Sequence, residues 1–157
     1  MTFTARRVLS DLEAAWGMLE TESDAERFRI IWVAAMALCR AVGHVLAKVD
    51  SHSSPELEKA IGQAYVSWQR DREQHRIFHR FIEDERNAVL KEYEIGFMSG
   101  RAAFTVLPGM TAATLSEELF CPLADGPYSG EDCRDVLAIA IGWWHVQLRE
   151  IDHAAAA

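Results

Sequence analysis

One stretch of the chain repeats apolar residues at alternating spacings of four and three, and this pattern limits the fold more than any other feature. An alternation of this kind places one apolar stripe along an α-helix and is typical of helices packed lengthwise in a bundle. The sequence therefore predicts a bundle built around this helix. The residues of the repeat are Phe28, Trp32, Ala35, Cys39, Val42, Leu46 and Val49.

Three further segments show helical periodicity, so the chain is predicted to be all-α. The first helix should run from Thr4 to about Glu22, and the last should open at Ser129 or Glu131. Between them, the helical pattern that starts at Pro55 is interrupted by a run of eight polar residues, 69–76, which places any break near residues 70 to 74. That interruption is compatible with one very long helix or with two helices that meet there.

Capping residues and helix breakers set the predicted boundaries. Ser23 followed by Glu26 has the spacing of a capping box for the second helix, and Ser54 precedes a proline suited to a first helical position. Proline and glycine recur around 98–130, which predicts an irregular segment. We expect a bundle of four to five main helices in a single domain spanning residues 1–157.

Two residue types inside the predicted helices indicate close packing. Five of the nine glycines lie in or at the ends of helices, where each costs about 1 kcal/mol relative to alanine, so close helix contacts are expected there. Trp144 falls on the apolar stripe of the last helix. Its neighbour Trp143 should lie at the edge of that stripe, at a subunit interface or under the irregular segment. The five glycines are Gly17, Gly43, Gly62, Gly96 and Gly142.

Charge and composition favour a cytoplasmic protein. Sixteen basic and 24 acidic residues give a net charge of −8, which disfavours DNA, and the window 69–91 departs from this balance with a charge near +1. The longest apolar run, 30–39, is about half of the length needed to cross a bilayer, so no membrane partner is expected. The three cysteines form no Cys-x-x-Cys pair, which favours reduced thiols.

A candidate metal site lies in the polar centre of the chain. His75, His79 and Glu83 follow one another at spacings of four, so on a regular α-helix they would share one face. Two imidazoles and a carboxylate can hold a divalent metal if another helix or a water completes the shell. For that position, His145 on the last helix is a better candidate than His44, which should face solvent. The alternative is that these histidines are surface or hydrogen-bonded residues and that the protein has no cofactor.

The residues that follow form a second motif, Phe81 to Lys91. It resembles the Arg-Asn motif of the HEPN superfamily, small α-helical domains often associated with RNA cleavage, in which an Arg-Asn pair is followed a few residues later by a histidine. Arg86 and Asn87 match the pair, while Lys91 stands where the histidine is expected. Because a lysine with a pKa of about 10.4 is a poor proton carrier at pH 7, this departure argues against a ribonuclease.

The resemblance implies a HEPN-like four-helix scaffold, a homodimer and a polar groove near Glu83, Arg86, Asn87 and Lys91. A plainer interpretation is that Arg86 faces the bundle and is paired with a carboxylate from another helix. We therefore expect a non-catalytic binding or interaction protein with an RNA or protein partner. The competing hypotheses are a metal-dependent hydrolase or transferase that uses the histidine face, and a structural oligomerisation module built on tryptophan-rich faces. The sequence does not decide whether the protein is an enzyme.

Overall fold

The predicted all-α bundle is confirmed. The computed structural model describes residues 1–84, 121–124 and 126–157. In this part of the chain the four α-helices are joined by a 3₁₀ turn and a π-helical turn, and Pro122 pairs with Asp132 in an isolated antiparallel bridge. The elements are α1 (Phe3–Thr21), α2 (Ala25–Lys48), the 3₁₀ turn (Asp50–Ser53), α3 (Pro55–Arg70), the π turn (Phe78–Ile82) and α4 (Cys133–Ala156).

The apolar stripe of α2 lies in the core, as its spacing predicts. Six of the seven residues of the repeat, from Phe28 to Leu46, are buried, and they form one hydrophobic cluster with residues of α1, α3 and α4. Val49 is the exception: it lies beyond the end of α2 and is 51% exposed. The main helix contacts are those of α1 with α2 and of α4 with both α1 and α3.

Three of the four predicted helix starts are displaced by one or more residues, and the first helix begins at Phe3 rather than Thr4. The N-cap of α2 is Asp24 rather than Ser23, and its carboxylate accepts a hydrogen bond from the Arg27 backbone N–H (2.9 Å). The last helix starts at Cys133, later than predicted, because Asp132 provides the cap. Asp and Ser are equally good N-caps, so composition does not choose between neighbouring candidates.

The cap of α3 is confirmed. Ser54 accepts a hydrogen bond from the Leu57 backbone N–H (3.2 Å), and Pro55 occupies the first turn. The polar run beyond α3 separates two helical pieces, since α3 ends at Arg70 and residues 72–75 form a turn. The alternative of one long helix is therefore wrong.

The N-terminus of α1 is held by carboxylates from two distant parts of the chain. The carboxylate of Asp50 accepts hydrogen bonds from the backbone N–H groups of Thr4 (3.0 Å) and Ala5 (2.9 Å). Asp152 accepts from the backbone and hydroxyl of Thr2 and from the Arg6 guanidinium. Helix N–H groups that have no partner in their own helix are thus satisfied from the 3₁₀ turn and from α4.

One of the helical glycines marks a close helix contact. A Cβ atom built at Gly43 would lie 2.9 Å from Cη2 of Trp144, so α2 approaches α4 more closely there than an alanine allows. The same atom at Gly17, Gly62 or Gly142 would meet nothing within 4 Å. The expectation of close contacts is confirmed at Gly43 and wrong at these three, and Gly96 lies outside the described residues.

By length and composition, one stretch of the described residues, Ala25–Ser53, could also cross a membrane. Core helices of soluble proteins pass the same test. The stripe of this helix is buried against α1 and α4, and 33% of its most apolar window is buried in all.

Candidate functional site

The candidate site lies where the chain turns after α3. The His75 backbone N–H donates to the Asp71 carbonyl (3.1 Å), and the Glu83 N–H donates to the Phe78 carbonyl (3.0 Å), a bond across five residues. The extra residue in this π turn changes the direction of side chains relative to a regular helix. His75, His79 and Glu83 therefore do not occupy one face of a continuous α-helix.

His79 connects the π turn to the end of α3. Its Nε2 atom lies 3.0 Å from the backbone carbonyl of Trp68, and its side chain is only 3% exposed. A carbonyl can only accept, so Nε2 carries a proton. The bond satisfies one of the last carbonyls of α3, which have no partner within their own helix.

The other ring nitrogen of His79 faces two charged groups. Nδ1 lies 3.2 Å from Oε2 of Glu83 and 3.4 Å from Nη2 of Arg72. When Nδ1 is unprotonated it accepts from Arg72, and when it is protonated it donates to Glu83. The sequence-predicted residues His79 and Glu83 are thus brought together, with Arg72 as a third member that the spacing did not indicate.

His75 is held by α4. The indole N–H of Trp143 donates to Nδ1 of His75 over 3.2 Å, and because an indole only donates, this nitrogen is unprotonated. Burial lowers the pKa of His75, an effect that the nearby charges of Asp71 and Glu150 oppose. His75 is therefore a neutral imidazole while it accepts the hydrogen bond from Trp143.

Four aromatic side chains pack around these histidines. Trp143 stacks on Phe78 with ring centroids 5.2 Å apart, and Trp68 contacts both Trp143 and Trp144, which also contact each other. The Trp68 indole donates to the Gln147 side chain (2.5 Å), which ties α3 to α4. As predicted, Trp144 is fully buried; Trp143 lies half-buried beside it.

A polar cavity of about 650 Å³ opens beside the π turn. Three arginines at spacings of four line it, and no described carboxylate forms an ion pair with any of them. The Arg76 guanidinium lies over the ring of Tyr128, 5.6 Å from its centroid. The lining residues are Arg72, Glu73, Arg76, His79, Arg80, Glu83, Asp84 and Pro127.

The remaining sequence-predicted residues do not join this site. His44 is exposed, as expected, and His145 pairs with Glu13 of α1 (2.7 Å). Within residues 1–84, 121–124 and 126–157, no three histidine, cysteine, aspartate or glutamate side chains are grouped so that they could hold a metal ion. The predicted groove residues Arg86, Asn87 and Lys91 lie outside the described residues.

A buried ion pair at the start of α4 was not predicted. Asp132 accepts three hydrogen bonds from Arg134, one from its backbone (2.9 Å) and two from its guanidinium (2.9 and 2.8 Å), and a fourth from the Cys121 backbone N–H (2.9 Å). Burial raises the pKa of Asp132, but these bonds hold it below its usual value. The signal in the sequence was an aspartate two residues before an arginine at a helix start.

Comparisons with protein-family models, with curated proteins and with solved structures found no match to this chain.

Proposed function

We propose that this protein binds single-stranded RNA without cleaving it, through the polar cavity beside the π turn, on a HEPN-like scaffold. The observation that carries the proposal is the set of three arginines, Arg72, Arg76 and Arg80, that lines this cavity without ion pairs to described carboxylates. Guanidinium groups bind phosphate through paired N–H donors and stack on bases. A cavity of about 650 Å³ has room for a nucleotide.

The arrangement of the histidines favours binding over catalysis. His79 is the imidazole at the cavity, and its Nε2 holds a backbone carbonyl rather than a ligand. His75 uses Nδ1 to accept from Trp143. In the sequence, Lys91 replaces the histidine that would move protons in the HEPN motif.

The test is a fluorescence anisotropy titration of a labelled single-stranded RNA as a function of salt. Replacing Arg72, Arg76 and Arg80 together by alanine should weaken binding at low salt by at least about tenfold, and it should reduce the slope of log K against log salt by about 2. The matched control replaces Arg7, Arg27 and Arg149, exposed arginines elsewhere, and removes the same charge.

Equal losses in the two triple variants would mean that only net charge matters and would overturn the cavity as the site. Absence of salt-dependent RNA binding by the unmodified protein would overturn the function itself. A further variant, with Arg86 and Lys91 replaced by alanine, tests the HEPN-like groove, and we expect it to weaken binding as well. Cleavage of the labelled RNA during the titration would contradict a non-catalytic role.

The metal hypothesis has its own test because His79 and Glu83 do lie together. Protein purified without chelator is assayed for bound zinc, iron and manganese, and its thermal stability is measured with each ion added. Stoichiometric metal that is lost in the His79→Gln variant would favour the metal-dependent hydrolase or transferase. Metal-free protein whose stability ignores these ions would remove that hypothesis.

A further inference from the structure

Two of the three cysteines meet at the base of the hairpin that precedes α4. Cys133 donates its backbone N–H to the Cys121 carbonyl (2.9 Å), and the Leu123 N–H donates to the Glu131 carbonyl (2.9 Å). With Pro122 opposite Asp132, this pattern sets Cys121 directly across from Cys133. In an antiparallel pair, opposed residues joined by backbone hydrogen bonds have Cα atoms about 5.5 Å apart. A disulfide can span this distance.

The turn between the two cysteines holds them in this register. Gly126 and Gly130 have φ angles of 74° and 86°, a conformation that side chains other than glycine rarely adopt. The Gly130 N–H donates to the Leu123 carbonyl (2.9 Å), and Asp132 accepts from the Cys121 N–H. The hairpin is therefore closed by backbone bonds whether or not the sulfurs are joined.

The two thiols have unequal surroundings. They are linked by a side-chain hydrogen bond; Cys133 is fully buried, whereas Cys121 is partly exposed. The bond from Cys133 lowers the pKa of Cys121 to about 7 despite its partial burial, and Arg134 lowers it further while Asp132 opposes. Burial raises the pKa of Cys133 far above its usual value. Cys121 is thus the thiolate that an incoming reagent reaches.

We propose that Cys121 and Cys133 form a redox-active dithiol that low-molecular-weight disulfides convert reversibly into an intramolecular disulfide. The Cys121 thiolate attacks one sulfur of the small disulfide, forms a mixed disulfide and releases one small thiolate. Cys133 then loses its proton and attacks the Cys121 sulfur, releasing the second small thiolate. The protein loses two electrons and two protons overall, and the small disulfide becomes two thiols.

The third cysteine provides an internal reference. Cys39 is buried in the stripe of α2, where burial raises the pKa of its thiol to about 12. A thiol of this kind stays protonated and inaccessible at neutral pH. We expect Cys39 to remain unreacted under conditions that oxidise the dithiol.

The experiment oxidises the reduced, folded protein with glutathione disulfide at pH 7.5, then unfolds it in denaturant so that iodoacetamide blocks every remaining thiol, and measures the intact mass. The expected product has lost two hydrogen atoms and carries one carbamidomethyl group, on Cys39. Digestion at Glu131 separates the two cysteines in sequence, so the oxidised protein should yield peptides joined only through sulfur. In a parallel sample reduced with dithiothreitol before alkylation, all three cysteines should carry carbamidomethyl groups.

Variants assign the order of attack. Cys133→Ser should stop at a stable glutathione adduct on Cys121. Cys121→Ser should react with glutathione disulfide at least about tenfold more slowly than the unmodified protein, because the thiol that remains in the hairpin, that of Cys133, is buried and protonated. Cys39→Ser is the control and should oxidise like the unmodified protein. If Cys133→Ser does not fold, the peptide map of the unmodified protein decides alone. Glutathione retained without an intramolecular bridge, or oxidation at Cys39 first, would overturn the proposal.

Discussion

The imidazole of His75 links the protonation of one residue to the packing of two helices. Its Nδ1 accepts the indole proton of Trp143, a bond that a protonated ring cannot accept. As the pH falls, the contact that joins α4 to the turn following α3 should therefore break before most carboxylates are protonated.

The sign of the resulting pH dependence follows from the pKa shift. Burial lowers the folded-state pKa of His75 below the value of about 6.5 expected for the unfolded chain, so the unfolded state binds more protons as the pH falls. The stabilisation is complete above about pH 6.5 and should be lost as the pH falls through the folded-state pKa. Urea unfolding between pH 8 and 5 measures it.

The variant that isolates this effect is His75→Gln, whose amide oxygen can still accept from Trp143. Its free energy of unfolding should depend less on pH below about 6.5 than that of the unmodified protein. His44→Gln, at an exposed position, is the control. An unchanged pH dependence in His75→Gln would show that His75 does not titrate on unfolding.

At the scale of helices, the start of α1 depends on an acceptor that α1 does not contain. Asp50→Ala removes the buried carboxylate that accepts from Thr4 and Ala5, and leaves these N–H groups without that partner. We expect a loss of about 1 to 3 kcal/mol in the free energy of unfolding. Asp11→Ala, an exposed acid within α1, should change it by less than about 0.5 kcal/mol. Equal effects would mean that the cap contributes nothing.

Because α2 and α4 are in close contact at Gly43, a glycine-to-alanine substitution should lower stability there and raise it at Gly17. Gly43→Ala gains about 1 kcal/mol of helix propensity but drives a Cβ into buried Trp144, where overpacking costs about 1 to 3 kcal/mol. Gly17→Ala has open space and should only gain. Thermal unfolding should therefore rank Gly17→Ala above the unmodified protein and Gly43→Ala below it. A stabilised Gly43→Ala would show that the helices separate easily.

The elements also explain which features the sequence predicted. The stripe of α2 and the cap at Ser54 follow local rules of spacing and hydrogen bonding, and both were predicted. The π turn was not, because one extra residue in a helical turn leaves no mark in composition. The pairing of Cys121 with Cys133 was also missed. It depends on a hairpin register that the glycines at 126 and 130 permit but that their presence does not predict.

At the scale of the whole molecule, charge is distributed so that one cavity differs from its surroundings. The chain carries a net charge of −8, yet three arginines meet beside the π turn without described ion-pair partners. The cavity also holds Glu73, Glu83 and Asp84, so its formal charge is about zero while the chain carries −8, and the guanidinium groups in it can bind phosphate at short range through paired N–H donors. This contrast is the physical basis for expecting strong salt dependence.

The outer face of α2 bears on the predicted homodimer. Only 33% of the most apolar window of Ala25–Ser53 is buried, and Ile30 is 58% exposed. The tryptophans do not supply an alternative apolar surface, because all five are buried or half-buried. A homodimer, which the HEPN resemblance implies, would cover the outer side of α2 and remove this apolar surface from water.

Sedimentation velocity of the full-length protein over a wide concentration range tests this. We expect a dimer that dissociates on dilution, and Ala37→Glu, which puts a charge on the exposed side of α2, should shift the equilibrium toward monomer by at least about tenfold. Gln63→Glu adds the same charge on the polar side of α3 and is the control. A species of 17.7 kDa at the highest concentration would contradict the dimer and leave the outer face of α2 to a different partner.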